Sequence, residues 1–500
     1  MSMRNLLVRK PDAVVWLIAG YFCLQFVVRL LQPHGLRFDE SQQAFVSQWL
    51  TLGYDSQPPL YNWLQSIVVW FFGLSLATVS ATKNLVLFLV YLTYYKLARE
   101  VLEDKLYAVI ATLSLLTIPQ LFWEAQRDLT HTVIQLLTIN LFLYGVIKTL
   151  KAPSLGSYAF MGLALGLGML SKYNFTLVAV AAMPAVWLHP EGRARIMDRR
   201  FLLSIALAVL IFLPHGLWLL NNLDIASGRT LGIMKQEAPD TAFAKLVQGP
   251  FKFLRLVAVI MAPTVLVYAI VFRRSFWQSL RASSEWTRFF TALFVTIALL
   301  VLLLVVTIGM TSLRDRWLLP FLFLMPIYFC LKMQAAGRRS DNHFRRFVVV
   351  PLILMIVIPA ALLARPNLPT FFGRYEAYNV PYSGFAEHVS AEEKKTPGLI
   401  VTDSWLPAGN LHLQWPDVPL MSRFFDNMKI AYQWTSDRPI LVVWITKDSG
   451  EALPPLLAEW IAQNLGEQYS AVDVKSTSVP YHRGHQEDQV GFGYVWIYPK

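Results

Sequence analysis

The run AVVWLIAGYFCLQFVVRLL, residues 13–31, leads straight into QPHGLRFDE, residues 32–40. The first stretch is long and apolar enough to cross a hydrocarbon core about 30 Å thick. The second ends in two adjacent carboxylates, Asp39 and Glu40, beside the bilayer surface. Carboxylates so placed are solvated, cap a helix or do chemistry. Comparable apolar runs recur through the first 365 residues. They predict membrane helices over 13–31, 79–97, 106–122, 130–147, 157–170, 174–188, 201–220, 252–272, 289–308, 317–333 and 347–364. Eleven spans put the two ends of the chain on opposite sides.

The composition agrees. Of 500 residues, 55% are hydrophobic and 15% charged, more apolar than a soluble protein of this length. The first run lacks a small-residue cleavage site and more spans follow, so it reads as a retained helix and not a secretory signal. The net charge of +12 could suggest nucleic acid, but its distribution excludes that class. Basic residues gather in alternate loops, such as Arg193, Arg195, Arg199 and Arg200, then Arg273, Arg274, Arg281 and Arg288. This is the positive-inside pattern, and it predicts a cytoplasmic N-terminus. Cys23 and Cys330 both lie in apolar runs, which argues against disulfides and cysteine metal sites.

The first outer loop, 32–78, contains another apolar stretch at 60–74. Counting it as a span would put the basic loops on the wrong sides, so it is predicted to lie along the surface, as is a helix over 40–52. Trp and Tyr at 49, 54, 61, 63 and 70 suit the headgroup region. Gly162 and Gly166 predict a close helix approach. After Arg365 the text changes. Pro366 and Pro369 mark a linker, and strand-like runs at 399–402, 440–445 and 494–498 flank a helix-like 453–465. A transmembrane domain (1–365) and a small outer α/β domain (366–500) follow.

Several ionisable residues stand at the predicted outer boundaries. Asp39 suits a general base, and Asp39-x-x-Gln42 equally suits a capping box. Glu40 would favour the same helix start. Asp128, between Arg127 and His131, caps a span or faces a ligand. Lys172 sits between two short helices, free to snorkel to the interface or to hold a phosphate. Arg314 and Arg316 flank Asp315. His215 ends the seventh span without the spacing of a metal site. Together these groups suit a lipid phosphate whose head group reacts: cations hold the phosphate, and a carboxylate takes a proton. No metal ligand set is evident and no cofactor is required, although a divalent cation would be compatible.

Phe38-Asp39-Glu40, Leu52-Gly53-Tyr54-Asp55 and Pro58-Pro59-Leu60 resemble the first outer loop of bacterial family 39 glycosyltransferases. Asp128, Leu170-Ser171-Lys172-Tyr173, Pro214-His215, Arg316-Trp317-Leu318-Leu319-Pro320 and Val401-Thr402-Asp403 follow in the family's order. The chain departs from the family's usual text at Ser41, Gln42 and Gln43, at Gln57 before the prolines, and at His215. The resemblance implies a GT-C fold related to protein mannosyltransferases and to the lipid A aminoarabinose transferase. It also implies an inner-membrane, inverting enzyme that moves a sugar from a polyprenyl phosphate to a lipid, glycan or protein acceptor on the periplasmic face. Asp39 would be the base, with Glu40, Asp128, Lys172, His215, Arg314 and Arg316 as substrate-binding residues. The rival expectation is a lipid-linked-sugar flippase, which would place ionisable residues at mid-bilayer in repeated halves.

Overall fold

A computed structural model describes residues 3–226, 228, 232, 242–308, 313–425, 427–446, 452–466 and 473–500. The chain divides into two compact units. The first comprises Met1–Leu24, Leu52–Tyr61 and Lys83–Ile358; the second comprises Gln25–Thr51, Asn62–Thr82 and Pro359–Lys500.

All eleven predicted runs are helical. Eight helices among the described residues are each long and apolar enough to cross a membrane. The run predicted at 106–122 is broken: Lys105–Thr117 and Gln120–Arg127 meet at 71°. Pro119 lies at the break, where its ring cannot continue an ordinary helix, and a π-helical turn follows at Gln120–Glu124. Two further helices, Leu155–Ser171 and Phe175–Trp187, are shorter.

Local chemistry sets these boundaries. Asp104 caps the helix Lys105–Leu113 by accepting from the Leu106 N–H at 2.8 Å. Ser154 does the same for Leu155–Ser171 through the Ser157 N–H at 3.1 Å. That helix packs closely on Phe201–Asn221, because a Cβ at Gly162 would stand 2.5 Å from the Ser204 carbonyl. Tyr54 and Tyr61, expected at headgroup level, are core residues of the first unit. Trp70 is exposed near the end of the helix Leu60–Phe72.

In the second unit a five-stranded sheet has the order β2-β1-β3-β5-β4, from β1 (Leu399–Thr402), β2 (Leu420–Ser422), β3 (Ile440–Ile445), β4 (Val474–Pro480) and β5 (Gln489–Ile497). β1 runs parallel to β2 and β3, while β5 is antiparallel to β3 and β4. One face packs Val442, Trp444 and Ile497 against Trp460 and Leu457 of the helix Pro455–Leu465. Trp444 lies opposite Gly493, where a Cβ would be 2.2 Å from the indole. On the other face Phe385, from the helix Tyr382–Glu393, stacks on Phe492 with ring centres 4.6 Å apart.

The first loop's acidic segment belongs to this second unit. The predicted helix over 40–52 is in fact Phe38–Val46. The helix Trp405–Gln414 lies against it. At the crossing, a Cβ on Gly409 would stand 1.9 Å from the Ser41 carbonyl oxygen. Gly409→Ala must push the helices apart and should cost about 1–3 kcal/mol. Gly20, with nothing within 4 Å of its Cβ position, is the control: Gly20→Ala should leave the thermal unfolding midpoint unchanged or raised.

Candidate active site

Asp39 is the second residue of its helix, and its side chain is half-buried. It is not the cap that sequence spacing suggested. Arg37 is the N-cap, and Glu40 reaches back to accept from the Arg37 backbone N–H at 3.4 Å. The helix starts two residues earlier because Glu40 has a second task. Glu40 is 1% exposed and pairs with Arg29, Nη2 to Oε2 at 3.0 Å and Nε to Oε1 at 3.3 Å. Arg29 also donates to the carbonyls of Pro33 at 3.1 Å and Gly35 at 2.9 Å. Glu40, expected to bind substrate, is therefore held in a structural pair that fixes the loop 32–37.

Three contacts from the helix Trp405–Gln414 hold the Asp39 segment. Asn410 accepts from the Leu36 N–H at 2.6 Å and donates to the Leu36 carbonyl at 3.2 Å. The Ser41 hydroxyl lies 2.7 Å from the Leu406 carbonyl. His412 Nδ1 donates to the Ala44 carbonyl at 2.9 Å. Arg37 pairs with Glu376, which also receives Arg365. None of these partners lies near Asp39 in sequence, and their spacing carried no signal.

In the first unit, Lys172 follows the helix Leu155–Ser171 in extended backbone. It is 8% exposed, and its Nζ donates to Thr132 Oγ1 at 2.9 Å. Thr132 lies in the first turn of the helix Thr130–Lys151. Asp128 precedes that helix by two residues. Leu129 between them adopts the left-handed conformation, with φ 71°. A cavity of about 150 Å³ opens beside Lys172. Ser56, Gln57, Tyr173 and Asn174 are among its polar lining residues, and Val301, Leu304, Leu318 and Phe321 among its apolar ones.

Gln57 and Lys172 are 115 positions apart in sequence yet line one cavity. Asp55 steadies the loop by accepting from the Gln57 N–H at 3.1 Å. His215 joins the same region from the helix Phe201–Asn221. Its Nδ1 donates to the Leu52 carbonyl at 2.7 Å, so its neutral Nε2 accepts from the Tyr173 hydroxyl at 3.3 Å. Burial, and then Asp55, raise the pKa of the Tyr173 phenol and keep it a donor. Gly53 is required here, because a Cβ would meet the Trp218 ring at 2.2 Å.

Arg314 and Arg316 stand at the start of the helix Asp315–Leu322. Burial, and then Arg316, lower the pKa of Arg314, partly offset by Asp315. Their neighbours Leu313 and Trp317 line the cavity, and Asn174 donates to the Trp317 carbonyl at 3.3 Å. Asp315 takes a hydrogen bond from Gln120 at 3.3 Å. Lys83 is a candidate that sequence reading passed over. It is 1% exposed in the helix Leu76–Val101, and a buried lysine inside a membrane helix marks a functional position. Its signal was a cation well inside the run 79–97, thirteen residues before the Lys96 that closes it.

The chain is 44% identical to the lipopolysaccharide core galacturonosyltransferase RgtB of Rhizobium johnstonii, over 96% of each chain. The chain belongs to the family of this galacturonosyltransferase, within the GT-C glycosyltransferases. Its similarity to RgtA of the same organism, also a lipopolysaccharide core galacturonosyltransferase, is 38% over 97% of each chain. The family described as dolichyl-phosphate-mannose-protein mannosyltransferase matches residues 56–218 of this glycosyltransferase. ArnT from Cupriavidus metallidurans shares the fold in its apo state, with a TM-score of 0.58, 16% identity and coverage of 97% of this chain and 98% of that one. ArnT bound to undecaprenyl phosphate gives a TM-score of 0.57. The chain is therefore a multi-pass membrane glycosyltransferase, and the flippase alternative falls away.

Two stability predictions follow from the Asp39 segment. Arg29→Met takes the guanidinium away from the buried Glu40 carboxylate, and should cost about 3–5 kcal/mol, read as a fall in the unfolding midpoint of the purified chain. His412 supplies a pH dependence. Burial is the largest influence and lowers its pKa below the ordinary 6.5, against the carbonyls of Ala44 and Pro416 and the charge of Asp417. The unfolded chain thus takes up the proton first as pH falls. This contribution is intact above about pH 6.5 and is lost as pH drops toward the folded value. Between about pH 7 and about pH 5 the wild-type midpoint should fall more steeply than that of His412→Gln.

Proposed function

We propose that this enzyme transfers a galacturonosyl group from a polyprenyl phosphate to the core of a lipopolysaccharide, with inversion at the anomeric carbon. The observation that carries this reading is the 44% identity to a core galacturonosyltransferase along nearly the whole chain. The cavity beside Lys172 supports the donor class. It joins one ammonium and several amide and hydroxyl groups to hydrocarbon walls from the helices Glu285–Ile308 and Asp315–Leu322. A phosphate on an isoprenoid tail has that division of character.

In this reading the acceptor hydroxyl attacks the anomeric carbon and Asp39 takes its proton. The bond from that carbon to the phosphate oxygen breaks, and the polyprenyl phosphate leaves with the electron pair. Lys172, with Arg314 and Arg316, offsets the charge that grows on it. An oxocarbenium-like transition state draws the nucleophile in late, so a carboxylate of ordinary basicity suffices. His215 fixes Tyr173 and the Leu52 backbone beside the donor, and Asp128 orients a sugar hydroxyl. Glu40 positions the loop and does not touch substrate. The reaction takes place at the periplasmic face of the inner membrane. The first loop (32–78) and residues 366–500 lie on that side, the N-terminus is cytoplasmic, and residues 1–365 form the transmembrane domain.

Purified enzyme with polyprenyl-phospho-galacturonate and core lipopolysaccharide tests this directly by mass spectrometry of the product. Asp39→Asn should lower kcat about 10²- to 10⁴-fold while leaving the unfolding midpoint in place. Lys172→Met should weaken donor binding and kcat together. Undiminished turnover by Asp39→Asn would remove the base assignment, and transfer of a neutral sugar in preference to galacturonate would remove the donor assignment.

A further inference from the structure

Asp315 has an arginine on either side in sequence, yet among the described residues its carboxylate forms an ion pair with neither Arg314 nor Arg316. Neutral donors occupy it instead. Oδ1 accepts from the Arg316 backbone N–H at 2.8 Å, and Oδ2 accepts from Gln120 Nε2 at 3.3 Å. Both guanidinia are half-buried and have no hydrogen-bond or ion-pair partner among the described residues. At Arg314, burial and the charge of Arg316 outweigh Asp315. Two unpaired guanidinia flanking one carboxylate are a costly arrangement until an anion from outside arrives.

The residue that holds Asp315 comes from the broken span. Gln120 opens the π-helical turn Gln120–Glu124, just past Pro119 and the 71° break. π-Turns of this kind are frequent at functional sites. Gln120 is 7% exposed, and its Oε1 finds no donor among the described residues. The bond to Asp315 is thus the one hydrogen bond that its side chain makes among them. A buried amide with one end unsatisfied costs more than a methionine or leucine in the same space. What the amide adds is its grip on Asp315. Without that grip, a carboxylate beside two unpaired guanidinia would turn to one of them.

We propose that Gln120 is a positioning residue for the donor: it keeps Asp315 from neutralising Arg314 and Arg316, so that both guanidinia remain open to the phosphate of the polyprenyl donor. Leu313 and Trp317, which alternate with the two arginines in sequence, line the donor cavity. Gln120 acts through Asp315 and touches no substrate. The inference rests on the reading of Arg314 and Arg316 as groups that hold the donor phosphate.

Titration of the purified full-length chain with undecaprenyl phosphate, followed by native mass spectrometry, tests it. Gln120→Met, close in shape, should weaken binding about tenfold. Asp315→Asn alone should bind within about threefold of wild type, because its charge is already held off the arginines. The double variant Gln120→Met/Asp315→Asn should recover the wild-type Kd to within about threefold, a rescue that a merely structural glutamine would not show. An unchanged Kd in Gln120→Met, or a double variant as weak as Gln120→Met, would overturn the proposal. If Gln120→Met fails to fold, Asp315→Asn decides: tightening beyond about threefold would mean that the carboxylate already neutralises the arginines. Arg314→Gln/Arg316→Gln separates this inference from the reading beneath it. Unchanged binding there removes the arginines from the donor site and this inference with them. Weakened binding there, beside unchanged binding in Gln120→Met, overturns this inference alone.

Discussion

The pair between Arg29 and Glu40 is the constraint from which the second unit is built. A guanidinium near the end of a long apolar helix and a carboxylate with 1% exposure are each costly alone. Together, with the carbonyls of Pro33 and Gly35 completing the arginine's donors, they turn the chain sharply out of the helix Val14–Leu31. The turn fixes where the next helix starts. It places Asp39 one residue before an immobile neighbour, so the candidate base is carried on a rigid support.

That support is completed from the far end of the chain. Asn410 bonds both backbone groups of Leu36, and Gly409 lets the helix Trp405–Gln414 approach until backbone meets backbone. Residues after 398 therefore do more than form a separate sheet. They clamp the acidic loop, and the sheet anchors the clamp through β1 and β2, which lead into and out of that helix.

Much of this fold was legible because its signals are local. A mostly apolar run of nineteen residues at 13–31 or a β-branched run such as Ile440–Ile445 announces its state without help. The same locality explains the failures. β4 has no apolar face to read, and β2 is only three residues long. The helix at Phe38 starts early because Glu40 answers to Arg29, eleven residues away. Among the candidate site residues, Lys172 and Gln57 were each conspicuous as text, yet their meeting in one cavity is a fact of tertiary packing. Lys83 went unremarked because one cation does not disturb a hydropathy average.

The outermost strand carries a last consequence. β4 reads VKSTSVP, exposed or half-exposed along its length, with Lys475 tied to Glu393 and a proline at its end. A rim of this kind is a poor template for a neighbour's backbone, since a bound strand would have to strip water from hydroxyls and an ammonium. The sheet thus ends by its own chemistry, and copies of the protein held at high density in one plane can brush past one another without zippering into fibrils.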